Sequence, residues 1–240
     1  MNEFYPISPK QHNSFYHFVN EQYIKGFGLD PKRALFINSD EIPLFEGKSY
    51  NEVFPNYKID LSLRHRPAEN DLEHIQQQSI FLIDDWCSAY EDKIKDKGDI
   101  GFLISALGSD GRIAFNIKGT SHHSNTQLTS TNFETQADTA SSLGGIEVSR
   151  NRLVITIGLE TITRNPKTVA IVCGAGESNA NIIKKSLQSE MTTQYPATVL
   201  QRLPNSRFYL TTGAASRLSD SVNHYYFKDE WSFEKTERAI

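Results

Sequence analysis

Ile100-Gly101-Phe102-Leu103-Ile104-Ser105-Ala106-Leu107-Gly108-Ser109-Asp110-Gly111-Arg112-Ile113-Ala114-Phe115-Asn116 is the stretch on which the reading of this chain turns. Ile100 to Ala106 has the length and apolar, β-branched content of a buried strand, and two glycines around an acid then break it. Glycines at the carboxyl end of a parallel strand let a ligand approach the backbone closely. Such strand ends are where open α/β sheets bind small molecules. The turn carrying Gly108, Asp110 and Gly111 is therefore the candidate ligand site.

Outward from this turn, strands and helices alternate. On the amino-terminal side, Phe15, Phe18, Val19 and Tyr23 recur at helical spacing over Asn13 to Tyr23, with Asn13 or Ser14 as cap. Ala34 to Ile37 reads as a short strand, and Ser39 to Asn70, interrupted by Pro43, Pro55 and Pro67, reads as a polar excursion on the surface. Asp71 to Lys95 returns to helix, with Leu72, Ile75, Ile80, Leu82, Ile83, Trp86 and Tyr90 facing inward and lysines near its end. On the other side, Gly119 to Ser142 is dense in Ser, Thr, Asn and Gln and is expected to be a long loop over one face of the sheet. Arg152 to Gly158, Thr168 to Cys173 and Phe208 to Leu210 read as strands. Leu159 to Thr163, Asn179 to Leu187 and Ala214 to Leu218 read as helices, with Lys184-Lys185 at an exposed helix end. The alternation predicts an α/β fold, a Rossmann-like open and mostly parallel sheet with helices on both faces.

Composition narrows the function. Against 29 acidic residues stand 25 basic ones, a net charge of -4 that lacks the electrostatic footprint of a nucleic-acid binder. No apolar run reaches the roughly 18 residues of a membrane span, and Met1-Asn2-Glu3-Phe4 has neither a basic region nor an apolar signal core. A cytoplasmic protein without a membrane partner is expected. The two thiols, Cys87 and Cys173, lie far apart in apolar or helical contexts and read as buried small side chains, not as a disulfide or zinc site. His122-His123 lacks an acid or cysteine at ligand spacing and reads as a solvated loop pair, so no metal is expected. Gly174-Ala175-Gly176 lacks the third glycine of a dinucleotide fingerprint, and no cofactor is expected.

The spacing of Gly108-Ser109-Asp110-Gly111-Arg112-Ile113-Ala114-Phe115-Asn116 resembles the G-x-G-x-D-G-H-I-A-F-N run of the glucosamine-6-phosphate isomerase/deaminase and 6-phosphogluconolactonase family, with Arg112 where that family has histidine. The similarity extends to Tyr5 to Tyr16, where Pro9-Lys10, His12 and Ser14-Phe15-Tyr16 follow the order of the stretch after the family's D-E-Y motif. It continues through Gly119-Thr120-Ser121, Thr156 to Leu159, Val169 to Gly174, and Leu200 to Pro204. The resemblance implies a single domain over residues 1–240 with an insertion at 39–70. It also implies conversion of glucosamine 6-phosphate to fructose 6-phosphate and ammonia, a sugar-phosphate ligand, and a homo-oligomer.

Two departures qualify what the resemblance implies. The family's glycine-rich phosphate loop precedes its D-E-Y acid, which aligns with Asn2, so the chain is expected to be a fragment whose sheet lacks its first strands and exposes an edge. The second departure is chemical. The base of the proton transfer falls at Asn2, the histidine at Arg112, and the carboxylate that orients it at Ile117; Asp110 alone is retained. An amide has no useful basicity and arginine stays protonated, so neither shuttles protons. Among the substrate-binding positions the resemblance places at Gly108, Gly111, Ser141 and Glu177, Ser141 replaces an arginine and Glu177 a lysine. Asp110 is read as a site residue in preference to a turn cap. Three roles stay open for Arg112: a surface arginine, an ion pair with Asp110 in the vacated histidine space, or a substitute for the missing phosphate cations. Two functional readings follow: an enzyme of altered chemistry in which Arg112 stabilises developing negative charge, and a non-catalytic module for sugar-phosphate binding or assembly.

Overall fold

The computed structural model describes residues 1–219. Its strands are β1 (Asn2–Tyr5), β2 (Phe102–Ala106), β3 (Gln127–Ser130), β4 (Leu153–Thr156), β5 (Val169–Gly174) and β6 (Asn205–Leu210). Between them run the helices α1 (Phe15–Val19), α2 (Tyr50–Val53), α3 (Asp71–Asp96), α4 (Phe133–Leu143), α5 (Ile146–Arg150), α6 (Leu159–Thr163), α7 (Ala180–Gln188) and α8 (Thr212–Ala215). The chain is an α/β protein with a parallel sheet, β2-β5-β6, in which Ile104 lies beside Ile171 and Ile171 beside Arg207. A second sheet, β1-β4-β3, is antiparallel and sets Glu3 and Leu128 on either side of Ile155. Sequence alternation does not reveal it, because β1 and β3 are four-residue strands rich in polar side chains.

Helix α3 organises the core. Asn70 caps it by accepting the Glu73 N–H at 2.9 Å, and Lys93 and Lys95 complement its carboxyl end. Its buried stripe of Ile80, Ile83, Cys87, Tyr90 and Ile94 joins Leu103, Ala170 and Val172 of the parallel sheet and Ile155 of the antiparallel one in one apolar cluster. Each fully buried leucine, isoleucine or valine there contributes roughly 1.5–3 kcal/mol, whereas Leu72, expected to face inward, is exposed on the first turn of α3. The same helix carries Glu91, buried at 3% exposure. Its Oε2 accepts from Thr126 N at 3.1 Å, Thr126 Oγ1 at 2.6 Å and Thr161 Oγ1 at 3.0 Å, and its Oε1 accepts from Arg164 Nη1 at 2.8 Å. Burial pushes this carboxyl up, but the bonds from Thr126, Arg164 and Thr161 outweigh it and hold the group below its ordinary value. One side chain thus ties α3 to the approach to β3 and to α6.

Several expectations need correction. Ala34 to Ile37 forms no strand; it is irregular chain, with Ile37 docked in the core and the Leu35 carbonyl accepting from Tyr90 Oη at 3.3 Å. Residues 39–70 are no surface excursion, since Val53, Phe54 and Leu63 are completely buried. Proline stops long helices but not single turns, and with such turns at 39–41, 45–47, 55–57 and 61–64 the segment folds back so that Ile42, Val53, Phe54 and Leu63 reach the core. Gln77 of α3 satisfies the carbonyls of Leu63 and Arg66 beneath them, at 2.7 and 2.8 Å. Residues 119–142 are no long loop, because β3 and most of α4 lie there. Those elements bury chiefly Leu128, Thr135 and Leu143, too few apolar positions to show as a period.

The parallel sheet is also less enclosed than its composition suggests. Leu103, Ala170 and Val172 are buried on one face, while Phe102, Ile104 and Tyr209 on the other are more than half exposed in the described residues. Cys173 lies on that open face, which corrects its reading as a buried thiol; Cys87 is buried. No helix among the described residues is long and apolar enough to cross a membrane.

Candidate functional site

The turn after β2 is closed by its own backbone. Gly108 N–H donates to the Arg112 carbonyl at 3.0 Å, Gly111 N–H to the Gly108 carbonyl at 2.9 Å, and Ala197 N–H to the Gly111 carbonyl at 3.0 Å. Gly111 takes a left-handed φ of +82°, a conformation that costs a residue with a Cβ about 1–2 kcal/mol. Gly108 is needed for a different reason. A Cβ there would stand 2.5 Å from Arg112 Cγ and 2.7 Å from its Nη1, so the arginine lies directly on the glycine backbone. The close approach that glycine permits is used by a side chain of the same turn.

Polar side chains complete the cluster. Asp110 Oδ1 accepts from Arg112 Nη1 at 2.8 Å, and Asp110 Oδ2 accepts from Asn132 Nδ2 at 2.6 Å. Asn132 is the cap of α4, its Oδ1 accepting the Thr135 N–H at 3.0 Å. One and a half turns into that helix, Asp138 Oδ2 accepts from Arg112 Nη2 at 3.1 Å and from Ser109 Oγ at 3.0 Å. The Asp110 and Arg112 side chains are only 8% and 11% exposed. Of the three roles left open for Arg112, the geometry selects the ion pair, extended to a second carboxylate. The cluster joins the end of β2 to the start of α4, and no member is a histidine. Gly108→Ala is expected to displace the guanidinium and lower stability by about 1–3 kcal/mol, read as a shift in the urea midpoint. An unchanged midpoint would mean that Arg112 does not rest on Gly108.

The remaining sequence-selected residues divide. Asn2 pairs opposite Thr156 at the edge of β1, and Thr156 Oγ1 in turn accepts the Phe115 N–H at 3.2 Å, which places Asn2 one strand from the glycine run. Asn116 fastens the same junction by donating to the carbonyls of Ile113 and Ile157 at 3.1 and 2.9 Å. The acid beside Asn2, Glu3, is occupied elsewhere. Its carboxylate accepts the N–H groups of Phe4, Phe15 and Tyr16 and the Ser14 hydroxyl at 2.7–3.1 Å, capping α1, and burial pushes its pKa up. Ile117, where the resemblance places a carboxylate, is half-buried. Ser141 is exposed on α4, three residues past Asp138, and makes no bond to the cluster. Glu177 is exposed after β5 and lies against α8, where a Cβ on Gly213 would be 3.4 Å from its own Cβ. His123 Nδ1 faces Glu160 Oε2 at 3.5 Å, and no group of metal-ligand type occurs among the described residues.

Sequence reasoning missed Asn132, Asp138 and Ser109. A signal for the first was available: Asn132 followed three residues later by Thr135, ahead of Phe133 to Leu143, is an amino-terminal cap pattern. Asp138 carries no such mark, since its position opposite Arg112 arises only when α4 docks against the turn.

No family model matches the chain. Glucosamine-6-phosphate deaminase 2 of Bacillus subtilis (strain 168) is 29% identical over 174 residues, which make up 72% of this chain and 69% of that protein. Among solved structures, a monomeric glucosamine-6-phosphate deaminase superposes with a TM-score of 0.67 at 19% identity, over 90% of this chain and 72% of its own. A 6-phosphogluconolactonase from Leishmania guyanensis superposes with a TM-score of 0.54 at 12% identity, over 91% and 73%. Likeness at these identities establishes a common fold.

Proposed function

We propose, for a chain that is a relative of the glucosamine-6-phosphate deaminases and shares their α/β fold, that it retains the architecture without the reaction and acts as a non-catalytic member of that sugar-phosphate group. What supports this reading is the seating of Arg112 on Gly108, bound at once to Asp110 and Asp138. Moving a proton between adjacent sugar carbons needs a group that both takes and gives one near neutral pH. The cluster offers a guanidinium, an amide, a hydroxyl and two carboxylates already engaged as acceptors. Asn2 adds no base, and the neighbouring Glu3 is consumed by the α1 cap.

The reading in which Arg112 stabilises developing negative charge is weaker. Its guanidinium already faces two carboxylates, and their charge offsets what it would offer an oxyanion. The test is an assay of the intact chain for ammonia release from glucosamine 6-phosphate and for hydrolysis of 6-phosphogluconolactone. Neither rate is expected to exceed the reaction without protein. Turnover lost on Asp110→Asn would overturn the proposal and restore the turn as a catalytic centre.

A further inference from the structure

Three cations meet on the far side of α7 without an acidic partner among the described residues. The helix buries Ala180, Ile183 and Ser186 and turns Asn181, Lys184, Lys185 and Gln188 outward. α8 packs on it through Ala214 and Ala215, with Leu218 just beyond, and so brings Arg217 to the same side. Gln188 and Ser219 hold the two elements together reciprocally. The Gln188 amide donates to Ser219 Oγ at 2.7 Å, and Ser219 N–H donates to Gln188 Oε1 at 3.3 Å. Between them opens a cavity of about 480 Å³ lined by Asn181, Lys184, Lys185, Gln188, Ser189 and Arg217.

What sets these cations apart is that they converge on one cavity. Acids outnumber bases in the chain, and Arg64, Arg66, Arg112 and Arg164 are each ion-paired. Lys184, Lys185 and Arg217 form no ion pair among the described residues. The macrodipole of α7 accounts for a lysine in its last turn, but not for an arginine supplied by the chain after another helix. Lys185 Nζ also lies 5.3 Å from the centre of the Tyr195 ring, a contact that leaves its charge without a counter-ion. Gathering like charges is unfavourable unless an anion joins them.

We propose that this cavity binds a soluble phosphate monoester carrying hydroxyl groups, at a site separate from the Asp110 turn. Its volume lies within the roughly 300–1,000 Å³ of small-ligand pockets. Arginine supplies a planar fork for two phosphate oxygens and the lysines supply point charges. The Asn181 amide and the Ser189 hydroxyl match the hydroxyl groups of the ligand body, while Gln188, held by Ser219, braces the wall. The inference does not depend on the catalytic status of the other turn.

The test is titration calorimetry of the intact chain at low ionic strength with glucose 6-phosphate, inorganic phosphate and glucose. The two phosphates are expected to bind, more weakly as salt is added, and glucose is not. Lys184→Gln with Lys185→Gln should weaken glucose 6-phosphate by at least ~10-fold, and Arg217→Gln by a similar factor, with thermal melting unchanged because all three side chains are at the surface. Arg112→Gln should leave the affinity as it is. Undiminished binding in the lysine and arginine variants, or no heat with either phosphate up to about 10 mM, would overturn the assignment. Loss of binding in Arg112→Gln alone would move the ligand to the Asp110 turn. Retention on phosphoinositide vesicles without a response to glucose 6-phosphate would overturn the soluble ligand.

Discussion

Glu91→Ala is expected to cost the fold about 3–5 kcal/mol, the range for removing one partner of a buried, hydrogen-bonded charge pair. The variant strands the Thr126 N–H, two threonine hydroxyls and one arm of Arg164 at the junction of α3, the approach to β3, and α6. Asp99 still holds the other side of that guanidinium, at 2.7 Å, so the lower end of the range applies if Arg164 swings wholly to it. Such a loss is a large share of the roughly 5–15 kcal/mol by which domains are stable. Urea unfolding near neutral pH reads it directly. A loss below about 1 kcal/mol would show that the cluster behaves as a surface pair.

The pH dependence has a definite sign. Glu91 sits below its ordinary value of 4.5 in the folded chain, so its contribution is complete above that value and fades as the pH falls through the lower, folded one. The gap between wild type and Glu91→Ala should therefore narrow in acid. Glu3 works in the opposite sense. Burial raises its carboxyl above 4.5, so the burden of its charge is present at neutral pH and is relieved as the pH falls through the raised value.

The second large effect concerns the glycine turn. Asp110→Ala is expected to lower stability by about 2–4 kcal/mol, because it leaves Arg112 at 11% exposure with Asp138 alone and leaves the Asn132 amide unpaired. Pairing it with Arg112→Met should recover much of the loss, since a buried ion pair replaced by apolar side chains of similar volume is often no less stable. Three urea melts and the double-mutant difference among them give the coupling energy. Additive losses would mean that the two side chains do not act as a unit, contrary to the 2.8 Å bond between them. The same experiment bears on function, because a turn whose charges mainly satisfy one another serves to join β2 to α4.

Much of the architecture was legible from residues alone. The α3 stripe, the two glycines that end β2, and the strand segments at Leu153, Val169 and Phe208 all follow from periodicity and turn chemistry, because each of these elements has enough apolar residues to declare its period. The chemistry of Asn2 and Arg112 was legible too: neither an amide nor a guanidinium becomes a base by folding. Tertiary packing decided the rest. Short, polar elements such as β1, β3 and α4 are stable only through their neighbours, and that docking sets Asp138 and Asn132 against a turn more than twenty residues earlier. Which face of β2 meets solvent, and whether Cys173 is covered, likewise depends on which helices lie over the sheet. No local pattern encodes how far the described residues cover that face.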